Sequence, residues 1–237
     1  MKKEVMNKLD VLDPKFRKEI DKLFDNVSDS ISMLYDAATQ DKKTGVYNHN
    51  FFQTIFKMEF EKAKRGYQRL SLFIADIDHF KKINDIYGHI EADELLKKLA
   101  EILTQSTRES DIVARFGGEE FVILLPETSL DRAKEVTSRI RTAVKEDELL
   151  KKYSLTISGG LTEYVKGDTS QKMMKRVDKA LYDAKKSGRD RLISIGLSSY
   201  GEFEEEKDAP IKVKPIKKLN KKQILTELKK CYIVKAE

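Results

Sequence analysis

The apolar run at residues 70–77, LSLFIADI, sets the strongest limit on how this chain folds. The run is short and rich in residues that favour strands, so it predicts a buried strand. Asp76 lies near its end, and a buried carboxylate is unfavourable unless a cation or hydrogen-bond donors compensate it. The run therefore predicts both a central strand and a polar site at one end of that strand.

Further segments alternate between helical and strand-like patterns. Helices are predicted for residues 51–63, 81–87, 92–104, 131–144 and 171–186, and further strands for residues 111–116, 121–125, 155–162 and 191–195. Two of these strands flank a glycine turn and form a hairpin. The alternation predicts a mixed sheet covered by helices.

The N-terminal segment has its own helical pattern. Asp13 and Pro14 are typical of an N-cap followed by proline at the first helical position. An apolar stripe then follows at spacings of three and four, formed by Phe16, Ile20, Leu23, Val27, Ile31, Leu34 and Ala38. This stripe either packs against its own domain or forms a short parallel coiled coil between two copies, and the spacing favours neither.

Bulk properties limit the cellular setting of the 237 residues. Cys231 is the only cysteine, which excludes an internal disulfide and favours a reducing compartment. The N-terminal sequence MKKEVMNKLD has no apolar segment typical of a signal peptide, and no window reaches the length of a membrane span. A cytoplasmic protein is expected, with residues 1–40 too short for a complete sensor domain.

The C-terminal region differs in composition from the rest. An acidic run at residues 202–208 is followed by residues 211–237, which hold nine lysines against two glutamates and a predicted short helix at 220–230. The tail is either a mobile solubilising extension or an anchor to nucleic acid or an anionic membrane. With Tyr232 as its one aromatic residue and no arginine, the tail favours the extension. We expect three parts, residues 1–40, 41–197 and 198–237.

Three acidic residues are candidates for chemistry. Asp76 ends the buried strand, and Glu119 and Glu120 follow Gly117 and Gly118 in the predicted hairpin. Both glycines permit positive φ and close approach of a ligand. If the strands are neighbours, the carboxylates suit Mg²⁺ bound together with substrate phosphates. Alone, such a GGEE string is more often an ordinary turn with solvated acids.

The block that follows Asp76 runs from a strand end into a helix start, where free backbone N–H groups bind phosphate. Lys81 adds a positive charge there, although an isolated lysine is more often merely solvated. Asp93 could accept hydrogen bonds from guanine N1–H and its amino group, which adenine cannot supply. Spacing alone instead favours Asp93 as the cap of a helix beginning near residue 94.

Four blocks in this order resemble the GGDEF family of diguanylate cyclases over residues 41–195. They are DKKTGVYN at 41–48, the block from Asp76 to Asp93, RFGGEEF at 115–121 and ALYDAKKSGR at 180–189. The resemblance implies an α+β, nucleotidyl-cyclase-like palm with a mixed, largely antiparallel five-stranded sheet. It also implies a homodimer in which each protomer binds one GTP. Each 3′-hydroxyl attacks the partner's α-phosphate, giving cyclic di-GMP and pyrophosphate under an unknown upstream regulator.

The resemblance also implies roles for individual residues. Mg²⁺ or Mn²⁺, two ions per active site, would be held by the catalytic Asp76, Glu119 and Glu120 with the Ile77 carbonyl. Asn84 and Asp93 would bind guanine, Lys81, Lys185 and Arg189 would bind the phosphates, and Phe80 would be a further substrate-binding residue. Lys185 and Arg189 would share one helix face if the helix persists to Gly188. Asp41 would pair with Arg115 as a structural brace.

A second implied site is regulatory. Arg108 and Asp111 match the family's RxxD site for inhibition by product, and Arg139 matches the arginine that completes it from a second domain. An RxxD alone is more often a surface pair.

The departures from the family pattern are Ala92 for a usual glycine, Lys43 for a common leucine and Asp190 for a common asparagine. Aspartate at position 93 indicates GTP in both sites. The alternative function is a catalytically weak or inactive domain that binds GTP or cyclic di-GMP as a regulatory module.

Overall fold

The computed structural model describes residues 13–66 and 68–196. The predicted acidic run, short helix and lysine-rich tail lie outside these residues. The helices are α1 (Pro14–Thr39), α2 (His49–Lys64), α3 (Phe80–Gln105), α4 (Leu130–Glu146), α5 (Glu148–Lys152) and α6 (Ser170–Lys186). The strands are β1 (Leu70–Ile77), β2 (Ile112–Gly117), β3 (Glu120–Pro126), β4 (Ile157–Glu163) and β5 (Leu192–Ile195).

These strands form one sheet in the order β2-β3-β1-β4-β5. β1 is central and every one of its residues is buried. Its pairings with β3 and β4 are antiparallel, as is the pairing of β2 with β3, whereas β4 and β5 are parallel. The mixed, largely antiparallel sheet covered by helices is therefore confirmed.

The two faces of the sheet carry separate apolar clusters. Because side chains alternate along a strand, Phe73 and Ile77 of β1 face one cluster, and Leu72 and Ile74 face the other. The first cluster includes buried residues of α3, α4 and α5, and the second includes buried residues of α2 and α6. Two layers of helices thus enclose the sheet and fix the direction of its strand ends.

α6 packs unusually close to β4. A Cβ atom placed on Gly160 would lie 2.3 Å from the Val177 carbonyl oxygen and 2.5 Å from the Leu181 nitrogen. No side chain fits between the strand and the helix at this point, so glycine is required for the close approach.

Helix ends agree with the sequence where local capping signals are present. The Asp13 side chain accepts hydrogen bonds from the backbone of Lys15 and Phe16, which confirms the predicted cap of α1. The two helices expected at 81–87 and 92–104 form one element, α3, interrupted at Gly88 with φ 84° and ψ 168°. The short helix α5 is an addition to the predicted elements.

The apolar stripe of α1 is largely uncovered. Leu23, Ile31 and Leu34 are 63%, 62% and 58% exposed, so the described residues do not bury this face. α1 contains a single buried residue, Thr39. No helix of the described chain is both long and apolar enough to cross a membrane.

We expect Gly160→Ala to lower the free energy of unfolding by about 3 kcal/mol, because the added methyl group overlaps the α6 backbone. Urea unfolding followed by circular dichroism measures the change. Gly117→Ala is the control, since its Cβ meets no atom within 4 Å, and we expect it to change stability by less than about 1 kcal/mol. Equal stability of the two variants would show that α6 does not depend on glycine at position 160.

Candidate active site

Strand pairing brings the acidic residues to one edge of the sheet. Asp76 of β1 lies opposite Glu120 of β3 and opposite Ser158 of β4, and it is 6% exposed. The backbone N–H of Ile77 donates a hydrogen bond to the Glu119 carbonyl oxygen at 3.3 Å. The antiparallel hairpin therefore places all three predicted acids beside the end of β1.

The hairpin connecting β2 and β3 needs positive φ at one glycine. Gly118 has φ 47°, whereas Gly117 does not lie in the left-handed region. Arg115 donates to the Gly118 carbonyl oxygen from Nη2 at 2.6 Å and from Nε at 3.0 Å. The same guanidinium contacts Asp41 Oδ1 at 3.1 Å. These contacts tie the turn to the loop after α1.

Asp41 is well supplied with donors. Burial raises the pKa of its carboxyl group, but hydrogen bonds from Thr44 and Arg115 outweigh burial and hold the pKa below its usual value. Its Oδ1 accepts from the Thr44 N–H at 3.0 Å and from the Thr44 hydroxyl at 2.8 Å. The carboxylate thus fixes the loop at residues 41–44.

Two carboxyl groups at the acidic edge, which is formed by Asp76, Glu119 and Glu120, have a raised pKa. Burial raises the pKa of Asp76, and the carboxylates of Glu119 and Asp78 raise it further, while Lys185 opposes them. Lys185 Nζ lies 2.7 Å from Asp76 Oδ2. Burial likewise raises the pKa of Glu120, with Asp76 the largest contributor among its charged neighbours. Such mutual repulsion is relieved when a cation binds.

The donor set fits a hard cation but is not a preformed cage. Within residues 13–66 and 68–196, no three His, Cys, Asp or Glu side chains are arranged to hold a metal ion by themselves. Mg²⁺ prefers oxygen ligands, and the three carboxylates and the Ile77 carbonyl are ligands of this type. Mg²⁺ commonly takes its remaining ligands from substrate phosphates and water, so these residues fit the ion when nucleotide is present.

Asp78 is a buried residue to which sequence reasoning assigned no role. Its carboxylate accepts hydrogen bonds from the hydroxyls of Thr156 and Ser158, both at 2.7 Å, and from the Asp190 N–H at 3.0 Å. The Asp190 side chain contacts Lys145 Nζ at 2.6 Å. Asp78 therefore joins the end of β1 to β4 and to the segment before β5. Its position just after a buried strand was the available signal.

Asp178 is a second missed residue. It lies on α6 and lines a cavity of about 340 Å³ together with Glu120, Tyr182 and Lys185. Partial burial of its carboxyl group raises the pKa of Asp178, and its charge contributes to the raised pKa of Glu120. Asp178 and Lys185 are seven residues apart on one helix, a spacing that places both on the same face.

The two predicted guanine contacts are engaged within the chain. Asn84 Oδ1 lies 3.0 Å from His89 Nδ1, and the Asn84 amide donates to the Phe80 carbonyl oxygen at 3.4 Å. Both Asp93 oxygens lie 2.7 Å from Lys43 Nζ. The alternative that Asp93 caps a helix near residue 94 is wrong, because α3 is helical on both sides of Asp93 and breaks only at Gly88.

The substitution at position 92 is compatible with the fold. Ala92 is fully buried and lies inside α3. It is absent from the residues that adopt positive φ in the described chain. Alanine at this position therefore causes no backbone strain.

The predicted phosphate-binding residues lie at two helix ends. No side chain caps the start of α3, where Phe80 is buried and Lys81 is exposed. At the other end of the site, α6 stops at Lys186 and Arg189 has φ 62°. Lys185 and Arg189 consequently do not share a helix face, because the chain leaves the helix between them.

The predicted inhibitory residues are neighbours. The Arg108 N–H donates to Asp111 Oδ2 at 2.9 Å, and Arg139 Nη2 donates to the Ser106 carbonyl oxygen at 2.7 Å. Burial raises the pKa of Asp111, and the charges of Arg108 and Arg139 oppose this effect. Arg139 is thus close to Asp111 within one chain.

The five-stranded sheet with an acidic strand end defines a palm domain of the nucleotidyl-cyclase type. The family model described as "Diguanylate cyclase, GGDEF domain" matches residues 38–191, and the chain belongs to this family. It is 40% identical over 158 residues to diguanylate cyclase DgcP of Pseudomonas aeruginosa, covering 65% of this chain and 24% of that protein. It is 38% identical over 168 residues to diguanylate cyclase A of Treponema denticola, covering 68% of this chain and 45% of that protein.

Solved structures agree with the family assignment. The GGDEF domain of DgcB from Caulobacter crescentus, crystallised with c-di-GMP, superposes with a TM-score of 0.63 at 29% identity, covering 66% of this chain and 95% of that domain. The chain spans less than half the length of the two curated relatives, so the likeness concerns the GGDEF domain.

We expect Asp78→Ala to lower the free energy of unfolding by about 3 kcal/mol, because it leaves two hydroxyls and one N–H without their buried acceptor. Thermal and urea unfolding measure the loss. Asp85→Ala removes an exposed carboxylate from α3 and should be nearly neutral. A stability loss for Asp78→Ala no larger than that of the control would contradict the structural role of Asp78.

Proposed function

We propose that this domain is a diguanylate cyclase that joins two GTP molecules into cyclic di-GMP and releases two pyrophosphates. The supporting observation is the acidic edge itself, where Asp76 and Glu120 are paired across neighbouring strands with Lys185 beside them. Phosphoryl transfer depends mainly on positioning the reactants and on neutralising the charge of the phosphates. This edge supplies carboxylates that can hold a cation and an ammonium group that can contact a phosphate.

In this proposal, different residues bind different parts of the GTP molecule. Asn84 and Asp93 would bind guanine, Lys81 and Arg189 would bind phosphate, and Phe80 at the start of α3 would be a further substrate-binding residue. Lys185 would leave Asp76 to contact a phosphate oxygen once the carboxylate is neutralised by a cation. Anionic phosphate is favoured at the uncapped start of α3 because backbone N–H groups point toward it.

Asp76, Glu119, Glu120 and the Ile77 carbonyl would hold Mg²⁺ or Mn²⁺, two ions per site. A divalent cation supplies charge neutralisation and lowers the pKa of the attacking hydroxyl. The 3′-oxygen of one GTP then forms a bond to the α-phosphorus of the other, and pyrophosphate leaves. Glu120 would act as a ligand of the second ion or as the carboxylate that assists proton removal.

The reaction needs two protomers, because each brings one GTP. The exposed stripe of α1 supports assembly through this helix, since Leu23, Ile31 and Leu34 leave a continuous apolar face uncovered by the described chain. A second copy carrying the same stripe would cover it in a parallel coiled coil. The proposal is therefore a dimer joined by α1, with the two GTP sites facing each other.

Product inhibition is proposed at Arg108, Asp111 and Arg139. The charges of both arginines act on the Asp111 carboxyl group, and guanidinium groups bind phosphate with two parallel hydrogen bonds. Cyclic di-GMP has two phosphates, so the same molecule that leaves the active site would bind here.

Purified protein incubated with GTP and Mg²⁺ should give cyclic di-GMP and pyrophosphate, separable by chromatography. We expect Glu119→Ala to lower the rate about 100-fold or more, because it removes a carboxylate from the acidic edge. Glu135→Ala removes an exposed glutamate of α4 and should retain full activity. Chelation by EDTA should stop the reaction.

Specific activity should also rise with protein concentration as the dimer forms. Failure to make any cyclic dinucleotide at a concentration where sedimentation shows a dimer would contradict the cyclase. GTP or cyclic di-GMP binding without turnover would instead identify a regulatory binding module.

Arg108→Ala should raise the final yield of cyclic di-GMP by weakening product binding about tenfold, the effect of losing a charged hydrogen bond. Progress curves with added cyclic di-GMP measure the inhibition constant. Arg132→Ala removes an exposed arginine of α4 and serves as control. An unchanged inhibition constant in Arg108→Ala would remove this site from the proposal.

A further inference from the structure

Lys43 makes a contact that ties the loop after α1 to the candidate guanine site. Its ammonium lies 2.7 Å from each oxygen of Asp93, fifty residues away in sequence. The loop itself is fixed, because Asp41 accepts hydrogen bonds from the backbone N–H groups of Lys43 at 3.2 Å and Thr44 at 3.0 Å. The Lys43 backbone is therefore held where its side chain reaches Asp93.

This ion pair is too exposed to matter much for stability. The Lys43 and Asp93 side chains are 53% and 32% exposed, and pairs of this kind contribute at most about 1 kcal/mol. A ligand with matching polar groups can therefore rearrange the pair at low cost. The pair is better explained by what it presents to a ligand than by what it adds to the fold.

Guanine carries three polar groups in a row along one edge: the O6 acceptor, the N1–H donor and the amino donor. Asp93 offers two acceptor oxygens, each with two lone pairs, so it can bind N1–H and the amino group while keeping one bond to Lys43. The ammonium has three donors and lies beside the same carboxylate. The Lys43 ammonium can therefore donate a hydrogen bond to O6, which lies next to N1–H on the base.

We infer that Lys43 is a specificity-determining residue that donates a hydrogen bond to guanine O6, so that Lys43 and Asp93 together bind the whole edge of the base. This inference rests on the proposed function only in that Asp93 faces guanine. Adenine presents an amino group where guanine has O6. That amino group and the Lys43 ammonium are both donors, so neither would accept a hydrogen bond from the other. The leucine common at this position in the family offers no such bond.

The test compares binding of nucleoside diphosphates by calorimetry in Mg²⁺, since a diphosphate cannot release pyrophosphate and is not turned over. The ligands are GDP, ADP, 6-thio-GDP, whose sulfur is a weak acceptor at position 6, and IDP, which lacks only the amino group. Lys43→Met keeps most of the length of the side chain but removes its charge. Lys42→Met, at the exposed neighbouring position, is the matched control.

For the unmodified chain and the Lys42→Met control, we expect 6-thio-GDP to bind about tenfold more weakly than GDP, as for loss of a charged hydrogen bond. In Lys43→Met the affinities for GDP and 6-thio-GDP should be nearly equal, because GDP binds more weakly to this variant. The weaker binding of IDP should persist in all three proteins, because it reports on Asp93.

An unchanged ratio of 6-thio-GDP to GDP affinity in Lys43→Met would overturn the inference. Tighter binding of GDP by that variant would also overturn it, since Lys43 would then only compete for Asp93. Failure of the unmodified chain to prefer GDP over ADP would instead overturn the proposed guanine site. If the affinities follow the expected pattern but GTP is not turned over, the result would contradict the proposed cyclase activity and would still support the role of Lys43 in binding guanine.

Discussion

The close packing of α6 against β4 determines where the charged groups of the candidate active site lie. Because Gly160 leaves no room for a side chain between strand and helix, the α6 backbone rests directly on the sheet. At its C-terminal end, Lys185 then reaches across to Asp76 on the neighbouring strand β1. About two turns earlier along the same surface, α6 carries Asp178 into the cavity that contains Glu120. A helix held further from the sheet would leave the acidic edge without its ammonium group.

Much of this framework could be predicted from the sequence because its signals are local. The run at residues 70–77 marks β1 correctly, since burial on both faces leaves a continuous apolar stretch. The Asp13 cap and the hairpin around residues 117–118 likewise follow from short-range rules about caps and turns. The contact between Asp41 and Arg115 came from resemblance to the family, and the structure contains it.

The features that could not be predicted depend on contacts between residues that are distant in the sequence. The position of Asp78 just after a buried strand indicates that its carboxylate needs donors, but not that these donors lie at 156, 158 and 190. The pairing of Lys43 with Asp93 needs the loop after α1 to lie over α3, which periodicity does not reveal. The condition under which Lys185 and Arg189 would share a helix face, a helix that persists to Gly188, is not met for a different reason. Helix ends are set by competing local bonds, and α6 stops before Arg189.

The hydrogen bonds of Asp78 have a consequence for how the domain is made. The bond to the Asp190 N–H joins residues 112 positions apart in sequence, so it can form only when both segments are present. A ribosome synthesises the strand end and the acidic hairpin long before it reaches Asp190. Until then Asp78 lacks one of its donors and the edge of the sheet is unfinished. A product that ends before Asp190 would therefore carry the acidic hairpin without every donor that holds Asp78 at the end of β1.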